Sequence, residues 1–278
     1  MKTGKLYLVG TPIGNMEDIT LRALRVLREA DLVAAEDTRR ARKLLSRYDI
    51  HTMVTSYHGN NEREKAESVA KEVAAGKKVA VVSDAGMPGV ADPGFRVVEE
   101  CARRGLDVEV IPGPSSLTAA LAISGMPLAS FRFLGFLPRK AGERRSRLSS
   151  LLREGDSLVF YEAPHRVLDT LGDLAELAPE REVVVARELT KVHEEVLRGR
   201  AQEVLASLVK GARRGEFVVI VGPSSEAEAP PLPHLAREVA ELVEGGLAPR
   251  EAVRAVAKRH DVSQREVYGA WLEVREKD

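Results

Sequence analysis

Short apolar runs alternate along this chain with longer stretches in which apolar residues recur at helical spacing. Eight of these runs have the length and side chains of buried strands: 6–9, 32–35, 79–82, 108–111, 131–134, 158–161, 183–186 and 217–221. Helix-like stretches lie between them, including 62–75, 143–153, 164–177 and 201–210. Strands that alternate with helices predict βαβ units around largely parallel sheets. The chain is therefore expected to be an α/β protein with two such units, divided near residues 112–116.

The last part of the chain has a different composition. A segment over 222–233 contains four prolines together with serine and alanine, which is typical of a linker. Three short helices are predicted beyond it, over 234–244, 249–259 and 263–274. They resemble a helix-turn-helix module, although a small bundle used for packing or dimerisation explains the pattern equally well. The predicted domains are 1–114, 115–223 and 234–278.

Composition limits the classes of protein that remain. The 42 basic and 42 acidic side chains give a formal net charge of zero, so any nucleic-acid contact must come from a local patch. Cys101 is the single cysteine, which excludes an intramolecular disulfide and a multi-thiolate metal site, and its apolar neighbours predict a buried helix face. No apolar run approaches the ~20 residues of a membrane span, and no apolar leader is visible. A soluble, cytoplasmic protein without a bound metal is expected.

Loops rich in glycine and proline follow three of the first four predicted strands. They cover residues 10–15, 83–94 and 111–116. Ligands of parallel sheets bind outside the carboxyl ends of the strands, so these loops are expected to meet at one site. The first loop is neither a GxGxxG motif nor a phosphate-binding P-loop, and a tight turn without a ligand explains it as well. For the long second loop, the alternative is a turn in which Asp92 caps the next helix.

Ten motifs occur in a characteristic order over nearly the whole chain. They are GTPIGN (10–15), AEDTR (35–39), SYHGNNE (56–62), SDAGMP (83–88), ADPG (91–94), IPGPSS (111–116), GFLPRK (135–140), FYEAPHR (160–166), ARELTK (186–191) and GEFVVIVG (215–222). Together they resemble the tetrapyrrole methylase superfamily. Within it they are most similar to the branch that methylates the 2'-oxygen of a cytidine in the decoding region of 16S ribosomal RNA.

This resemblance implies two αβα domains with S-adenosylmethionine bound in the cleft between them, and a homodimer. Carried over by position, the donor contacts would be Ile13, Ala85, Gly86, Met87, Val90, Ser115, Ser116, Glu162 and Leu189. Tetrapyrrole-modifying relatives have an acidic residue at the position of Met87, so this residue favours the RNA branch. Members of that branch often have threonine there, so Met87 also departs from them.

A ribose 2'-hydroxyl is a poor nucleophile, so a positioned base or a cation that stabilises the alkoxide should assist the transfer. The candidate catalytic residues are Asp37, His58, Glu62 and Lys191, and Arg39 and Asn61 are candidates for handling the substrate. Glu36, Asp84 and Glu162 are also expected at the cleft. For each carboxylate a helix cap or an ion pair is the alternative, and for His58 it is a surface position.

A cluster of basic residues follows the strand at 131–134. Arg139, Lys140, Arg144, Arg145 and Arg147 are expected to contact RNA phosphates, although a solvated helix face is the usual meaning of such a run. The tail contains a second basic set, diluted by glutamates. The expected partner is 16S rRNA in the small ribosomal subunit. A precorrin or uroporphyrinogen methylase and an RNA-binding protein without catalysis remain as alternatives.

Overall fold

The computed structural model describes residues 4–126, 129–210, 215–224, 232–260 and 262–275. The first domain contains one sheet of five strands: β1 (Lys5–Val9), β2 (Leu32–Ala35), β3 (Val54–Ser56), β4 (Lys78–Val82) and β5 (Asp107–Ile111). The strands have the order β3-β2-β4-β1-β5, and all four pairings are parallel. This confirms the parallel sheet predicted for the first half of the chain.

Helices cover both faces of this sheet: α1 (Leu21–Glu29), α2 (Thr38–Arg47), α3 (Glu62–Ala74) and α4 (Phe95–Arg103). The first two pack on one face, where Leu27 and Leu45 meet Val33 in the core. The other two pack on the opposite face, where Val69 and the fully buried Cys101 lie. Because helices cover both faces of the sheet, the central strands consist of continuous runs of apolar residues.

The second domain begins with α5 (Ser116–Ser124) and contains a second sheet of five strands. Its remaining elements are β6 (Phe131–Phe136), α6 (Ala141–Leu152), β7 (Ser157–Glu162), α7 (Val167–Leu177), β8 (Glu182–Arg187), β9 (Glu195–Arg200), α8 (Ala201–Lys210) and β10 (Phe217–Val221). The order is β6-β7-β10-β8-β9, and only β6 and β7 are parallel. The prediction of a largely parallel sheet was therefore wrong for this half. A strand absent from the prediction, β9, follows β8 as an antiparallel neighbour, and β10 inserts antiparallel between β7 and β8.

The two faces of the second sheet have different coverings. One face packs against α6, α7 and α8 around Leu148, Phe160 and Leu208. The other packs against α5 and against Ile13, which belongs to the first loop of the first domain. On this packing we propose the boundary between residues 114 and 115. The two-domain α/β fold is confirmed.

Three helices close the described part of the chain: α9 (Leu232–Glu244), α10 (Pro249–Arg259) and α11 (Gln264–Arg275). They share a core that includes Leu235, Val256 and Trp271. Ser263 precedes α11 and caps it, because its hydroxyl accepts hydrogen bonds from the main-chain nitrogens of Arg265 and Glu266. Most of the predicted linker, 225–231, lies outside the described residues. Among the helices that are described, none has the length and apolar character to cross a membrane.

Candidate active site

The loops that follow β1, β4 and β5 are joined by main-chain hydrogen bonds at the carboxyl edge of the first sheet. Thr11 and Gly86 exchange N–H···O bonds of 2.9 and 3.0 Å, and the nitrogen of Gly10 donates to the carbonyl of Ile111 at 3.0 Å. A Cβ atom on Gly10 would lie 2.7 Å from the Cα of Gly113. No residue but glycine allows this approach, so the glycines bring the three predicted loops together.

Main chain and apolar side chains form the floor of the resulting cleft. Gly86 adopts φ +79°, and a Cβ there would project towards Ile13 Cγ2 (3.5 Å) and the carbonyl oxygen of Pro114 (3.6 Å). The sulfur of Met87 lies over Gly10, and Val90 is 43% exposed. Such a lining fits a nucleoside and an amino-acid chain held by amides and apolar contacts.

The second domain forms the opposite wall of the cleft. The hydroxyl of Ser116 donates to the Tyr161 hydroxyl at 3.2 Å, and the Tyr161 ring packs edge-on against Phe133 at a centroid distance of 5.1 Å. The hydroxyl of Ser115 does not cap α5. Leu189 is buried in the same apolar cluster as Ile13. Of the predicted donor contacts, Ile13, Gly86, Met87, Ser116 and Leu189 therefore lie where the three loops meet the second sheet.

The side chain of Glu162 is engaged within the protein and does not face the cleft as a free carboxylate. Its side chain is fully buried, its Oε2 accepts a bond of 2.7 Å from the Thr170 hydroxyl, and its Oε1 accepts one of 2.9 Å from the Ala163 nitrogen. Because Thr170 belongs to α7, the carboxylate fixes that helix to the end of β7. The resemblance implied a donor contact at Glu162, but the carboxylate of this residue is engaged within the protein and is not available to a ligand.

Three acidic residues form a connected group at the ends of β2 and β4. Asp84 Oδ1 accepts a hydrogen bond of 2.9 Å from the Asp37 nitrogen, and Glu36 Oε2 accepts one of 3.2 Å from the Asp84 nitrogen. Burial raises the pKa of Glu36, although the hydrogen bond from Asp84 opposes the rise. Arg40 pairs with Asp84 Oδ2 at 3.4 Å and thereby fixes α2 to the loop after β4.

Asp37 begins α2 as its N-cap, with Oδ1 accepting from the Arg39 nitrogen at 2.8 Å. Its Oδ2 also receives a bond of 2.8 Å from the Arg39 guanidinium. These bonds from Arg39 hold the pKa of the Asp37 carboxyl far below its usual range. A carboxylate with so low a pKa is a weak base, so the structure favours a capping role for Asp37 over proton transfer.

Glu62 has a structural role between the start of α3 and the start of α4. Its Oε1 accepts hydrogen bonds from the Tyr57 hydroxyl at 3.2 Å and from the Gly94 nitrogen at 3.0 Å. The Tyr57 hydroxyl in turn accepts from the Val97 nitrogen. Glu62 and Tyr57 thus satisfy the free N–H groups at the start of α4 and hold the segment before it.

His58 and Asn61 form the turn between β3 and α3. Asn61 Oδ1 accepts a bond of 2.8 Å from the His58 nitrogen, and Asn61 Nδ2 donates to the Ser56 hydroxyl at 3.3 Å. The amide of Asn61 is therefore used within its own loop. His58 is half-buried.

Lys191 lies at the rim, in the loop after β8. Its ammonium bonds to Glu188 Oε1 at 2.8 Å and to Glu216 Oε2 at 3.3 Å. Burial lowers the pKa of Lys191, but the two carboxylates outweigh it and raise the pKa overall. The same loop meets the first domain, because the Asn15 nitrogen donates to Thr190 Oγ1 at 3.0 Å.

Asp92 is the residue that sequence reasoning missed. It is half-buried and makes no hydrogen bond within the described part of the chain. Burial and the negative charges of Glu36, Asp84 and Glu216 raise its pKa to about 7. The sequence indicated only a helix cap, but Gly94 is the N-cap of α4. These acidic neighbours come from three separate segments, so no local pattern could reveal them.

The predicted basic cluster is mostly neutralised by carboxylates. Arg144 is 4% exposed, and its Nε donates to Asp173 at 2.7 Å. Arg145 binds Asp173 and Glu176, and Lys140 pairs with Glu143 at 3.0 Å. A buried guanidinium paired with a buried carboxylate cannot reach a phosphate, so Arg144 is removed from the predicted RNA contacts. Arg139 and Lys140 remain exposed.

Comparison with known proteins identifies the family to which a chain with this cleft belongs. The family model for Tetrapyrrole (Corrin/Porphyrin) Methylases matches residues 5–205. The chain belongs to the tetrapyrrole methylase family. This tetrapyrrole methylase is 49% identical over 218 residues to a Thermotoga maritima protein named ribosomal RNA small subunit methyltransferase I, which covers 78% of this chain and 98% of that protein. A Bacillus subtilis protein of the same name is 39% identical over 274 residues, with 96% and 94% covered.

Solved structures agree with this family. The uroporphyrin-III C-methyltransferase of Thermus thermophilus in complex with S-adenosylhomocysteine is 26% identical, with a TM-score of 0.57 over 79% of this tetrapyrrole methylase and 97% of that chain. Diphthine synthase, at 17% identity and a TM-score of 0.63 over 78% and 90% of the chains, shows the fold alone. The chain is thus a methyltransferase, and S-adenosylmethionine as the donor is confirmed at the level of the family.

Proposed function

We propose that this tetrapyrrole methylase transfers a methyl group from S-adenosylmethionine to the 2'-oxygen of a cytidine in 16S ribosomal RNA. The observation that carries the proposal is the floor of the cleft. Gly10, Gly86 and Gly113 lie there, and they allow the main chains of three loops to approach one another closely. It occurs in a chain whose relatives, at 39–49% identity, are named for the small-subunit RNA. The finer target, a cytidine 2'-oxygen, rests on the motif resemblance.

A tetrapyrrole substrate is the second candidate, since the solved relatives include uroporphyrin methyltransferases. Two features favour RNA. The residue over Gly10 is Met87, where the tetrapyrrole pattern has an acidic side chain. The relatives named for ribosomal RNA are also closer in sequence than the 26% identity of the uroporphyrin enzyme.

We propose Asp92 as the base. When bound, the donor supplies a methyl group on a positively charged sulfur. The nucleophile must lose its proton as the oxygen–carbon bond forms and the carbon–sulfur bond breaks. A carboxylate without a fixed hydrogen-bond partner and with a pKa near 7 is suited to accept that proton at neutral pH. Asp37, with its low pKa, and Glu62, which caps α4, fit this role less well.

Positioning of the RNA is assigned to the remaining predicted residues. Lys191 is a cation at the rim and can stabilise negative charge on the substrate. His58, Arg39 and the exposed Arg139 and Lys140 offer further contacts with the RNA backbone. The amide of Asn61 acts through the turn that it holds, because both of its polar atoms are engaged there.

A homodimer in the cytoplasm completes the proposal. β5 is an edge strand, and Val108 and Val110, which point to the same side of it, are 37% and 53% exposed. Leu21 is 86% exposed, and the next residue, Arg22, donates to the Val110 carbonyl. A second copy of this chain would cover these apolar side chains and the part of the strand edge that Arg22 leaves open.

The test is methyl transfer from labelled S-adenosylmethionine to small ribosomal subunits that lack the modification, with the labelled nucleotide mapped afterwards. Label on a cytidine 2'-oxygen of 16S rRNA is expected. Donor binding without label on subunits or free rRNA would exclude the RNA substrate and make uroporphyrinogen the next acceptor to try. RNA binding without donor binding would indicate a protein that has lost catalysis.

A further inference from the structure

A basic surface lies on α2, in residues beyond the AEDTR motif that the motif analysis did not single out. The apolar residues Leu44 and Leu45 of this helix are buried against the first sheet. The outward side chains Arg42, Lys43 and Arg47 are exposed, and within the described part of the chain none of them makes an ion pair or a hydrogen bond. Three cations without carboxylate partners keep their full charge for a ligand.

This helix contrasts with the cluster that the sequence predicted. On α6, Arg144 and Arg145 are bound by Asp173 and Glu176, and Lys140 is paired with Glu143. The run of arginines there serves mainly to fix α6 against α7. Arg139 and Arg147 also remain exposed and unpaired in the described part of the chain, whereas the three cations of α2 lie within two turns of one helix.

The position of α2 connects this charge to the cleft. Lys43 and Arg47, one helical turn apart, line a cavity of about 850 Å³. Its other wall includes Gly14 and Asn15 from the first loop, the acidic Glu17 just after that loop, and Thr190 and Lys191 from the loop after β8. The cavity therefore begins on α2 and ends at the rim, where Asn15 and Thr190 are bonded to each other.

The start of α2 is held rigidly relative to the donor loops. Asp84 accepts a hydrogen bond from the main-chain nitrogen of Asp37, which is the N-cap residue of α2. Asp84 also forms an ion pair with Arg40, in the first turn of α2. An RNA strand bound to α2 would therefore lie at a fixed distance from Gly86 at the floor of the cleft. Fixed positioning of this kind is what an in-line displacement requires.

We infer that Arg42, Lys43 and Arg47 form the track that binds the phosphate backbone of the RNA next to the methylated nucleotide. This inference rests on the proposed RNA methylation and specifies its docking surface. The contacts are with phosphates, so they position the strand and do not read its sequence. Lys43 and Arg47 are about 6 Å apart along the helix axis, which suits neighbouring phosphates of one strand.

The experiment compares two double variants of the full chain with the wild type. K43A/R47A removes two charges from the track. K77A/K78A removes the same net charge from the opposite, amino edge of the first sheet, where both lysines are about half exposed. Binding of 16S rRNA and of small subunits that lack the modification is measured as a function of salt, and donor binding is measured by calorimetry.

For K43A/R47A we expect RNA binding about tenfold weaker, and a plot of log K against log [salt] that is shallower by about 1.4 to 1.8, for two phosphate contacts. Donor affinity should not change, and K77A/K78A should match the wild type in both measurements. If K43A/R47A binds RNA with unchanged affinity and salt dependence, while the wild type methylates RNA, the track is wrong but the proposed function stands. Absence of RNA binding by the wild type would overturn the proposed function and the track together.

Discussion

The carboxylate of Glu62 accepts a hydrogen bond of 3.0 Å from the main-chain nitrogen of Gly94, which joins the first residue of α3 to the segment that carries Asp92. Replacement of Glu62 by alanine should lower the free energy of unfolding by about 2 kcal/mol, because it leaves the start of α4 uncapped. Glutamine keeps an acceptor oxygen, so Glu62→Gln should retain most of the stability and most of kcat. Denaturant unfolding and single-turnover rates check both variants. Equal loss of kcat in the two, at full stability, would instead indicate that Glu62 transfers the proton.

Gly10→Ala should damage the donor pocket directly. The new Cβ would lie 2.7 Å from both Gly113 Cα and Met87 Sδ, so the loops must separate. We expect a loss of about 1–3 kcal/mol in stability from overpacking, and donor binding at least about tenfold weaker. Gly142→Ala, which meets no atom within 4 Å, is the matched control and should leave donor affinity unchanged. Calorimetric titration with S-adenosylhomocysteine measures both.

Asp92→Asn should abolish the pH dependence of methyl transfer. In the wild type the rate should fall as pH decreases through about 7, because the carboxylate becomes protonated and can no longer accept a proton. The asparagine variant should be about 10² to 10⁴ times slower and independent of pH in this range. Single-turnover rates between pH 5.5 and 8.5, with donor binding measured in parallel, provide the check. A variant that keeps the wild-type profile would rule Asp92 out as the base.

The stability of Asp92→Asn gives an independent check on the raised pKa. Between the ordinary pKa of 3.8 and the folded value of about 7, the folded state binds more protons than the unfolded state. Wild-type stability should therefore fall as pH rises through this window. The variant lacks this penalty, so it should be more stable at pH 8, on the order of 1–2 kcal/mol after solvent screening, and should show no gain near pH 4. Denaturation at the two pH values compares them.

Asp173→Ala should destabilise the second domain without a specific effect on RNA. It leaves the buried Arg144 guanidinium without its carboxylate, which typically costs about 3–5 kcal/mol. Arg139→Ala, at an exposed position on the same side, should stay within about 0.5 kcal/mol of the wild type. Thermal unfolding distinguishes the two. A stable Asp173→Ala protein would show that Arg144 finds another partner.

Val110→Lys should convert the proposed dimer to a monomer. A charge on the exposed face of the edge strand would have to be buried against the second copy. Met53→Lys places the same charge at a side chain that is 72% exposed and directly precedes β3, at the opposite edge of the sheet, and should leave the dimer intact. Sedimentation velocity measures the mass of each. A wild type that sediments as a monomer would remove the homodimer from the proposal.

Much of the first domain was predictable because its signals are local. Each central strand is a continuous apolar run, and the loops after β1, β4 and β5 carry glycines whose close approach the structure confirms. The direction of β10 was not predictable in the same way, since an apolar run has no orientation of its own. Its place between β7 and β8 depends on β9, a partly exposed edge strand with a mixed pattern.

The candidate site was predictable as a location but not as chemistry. Asp37, Asp84 and Asp92 are the same residue type in similar loops, yet one caps a helix, one holds two loops together and one has a pKa near 7. Asp37 is held by Arg39, two residues away, but the settings of Asp84 and Asp92 arise from neighbours distant in the chain, such as Glu216 beside Asp92. Arg144 shows the same limit, because its burial depends on Asp173 on the next helix.

The burial of Cys101 makes this protein well suited to distance measurements by fluorescence. Its thiol is fully enclosed between the first sheet and α3, and burial raises the pKa of that thiol. Thiol-reactive dyes need an accessible thiolate, so the native chain should remain unlabelled. A cysteine placed at Val192, which is 95% exposed at the rim, and another on α2 would then be the only dye sites. Such a pair would report the width of the cleft in the wild-type background as donor and RNA bind.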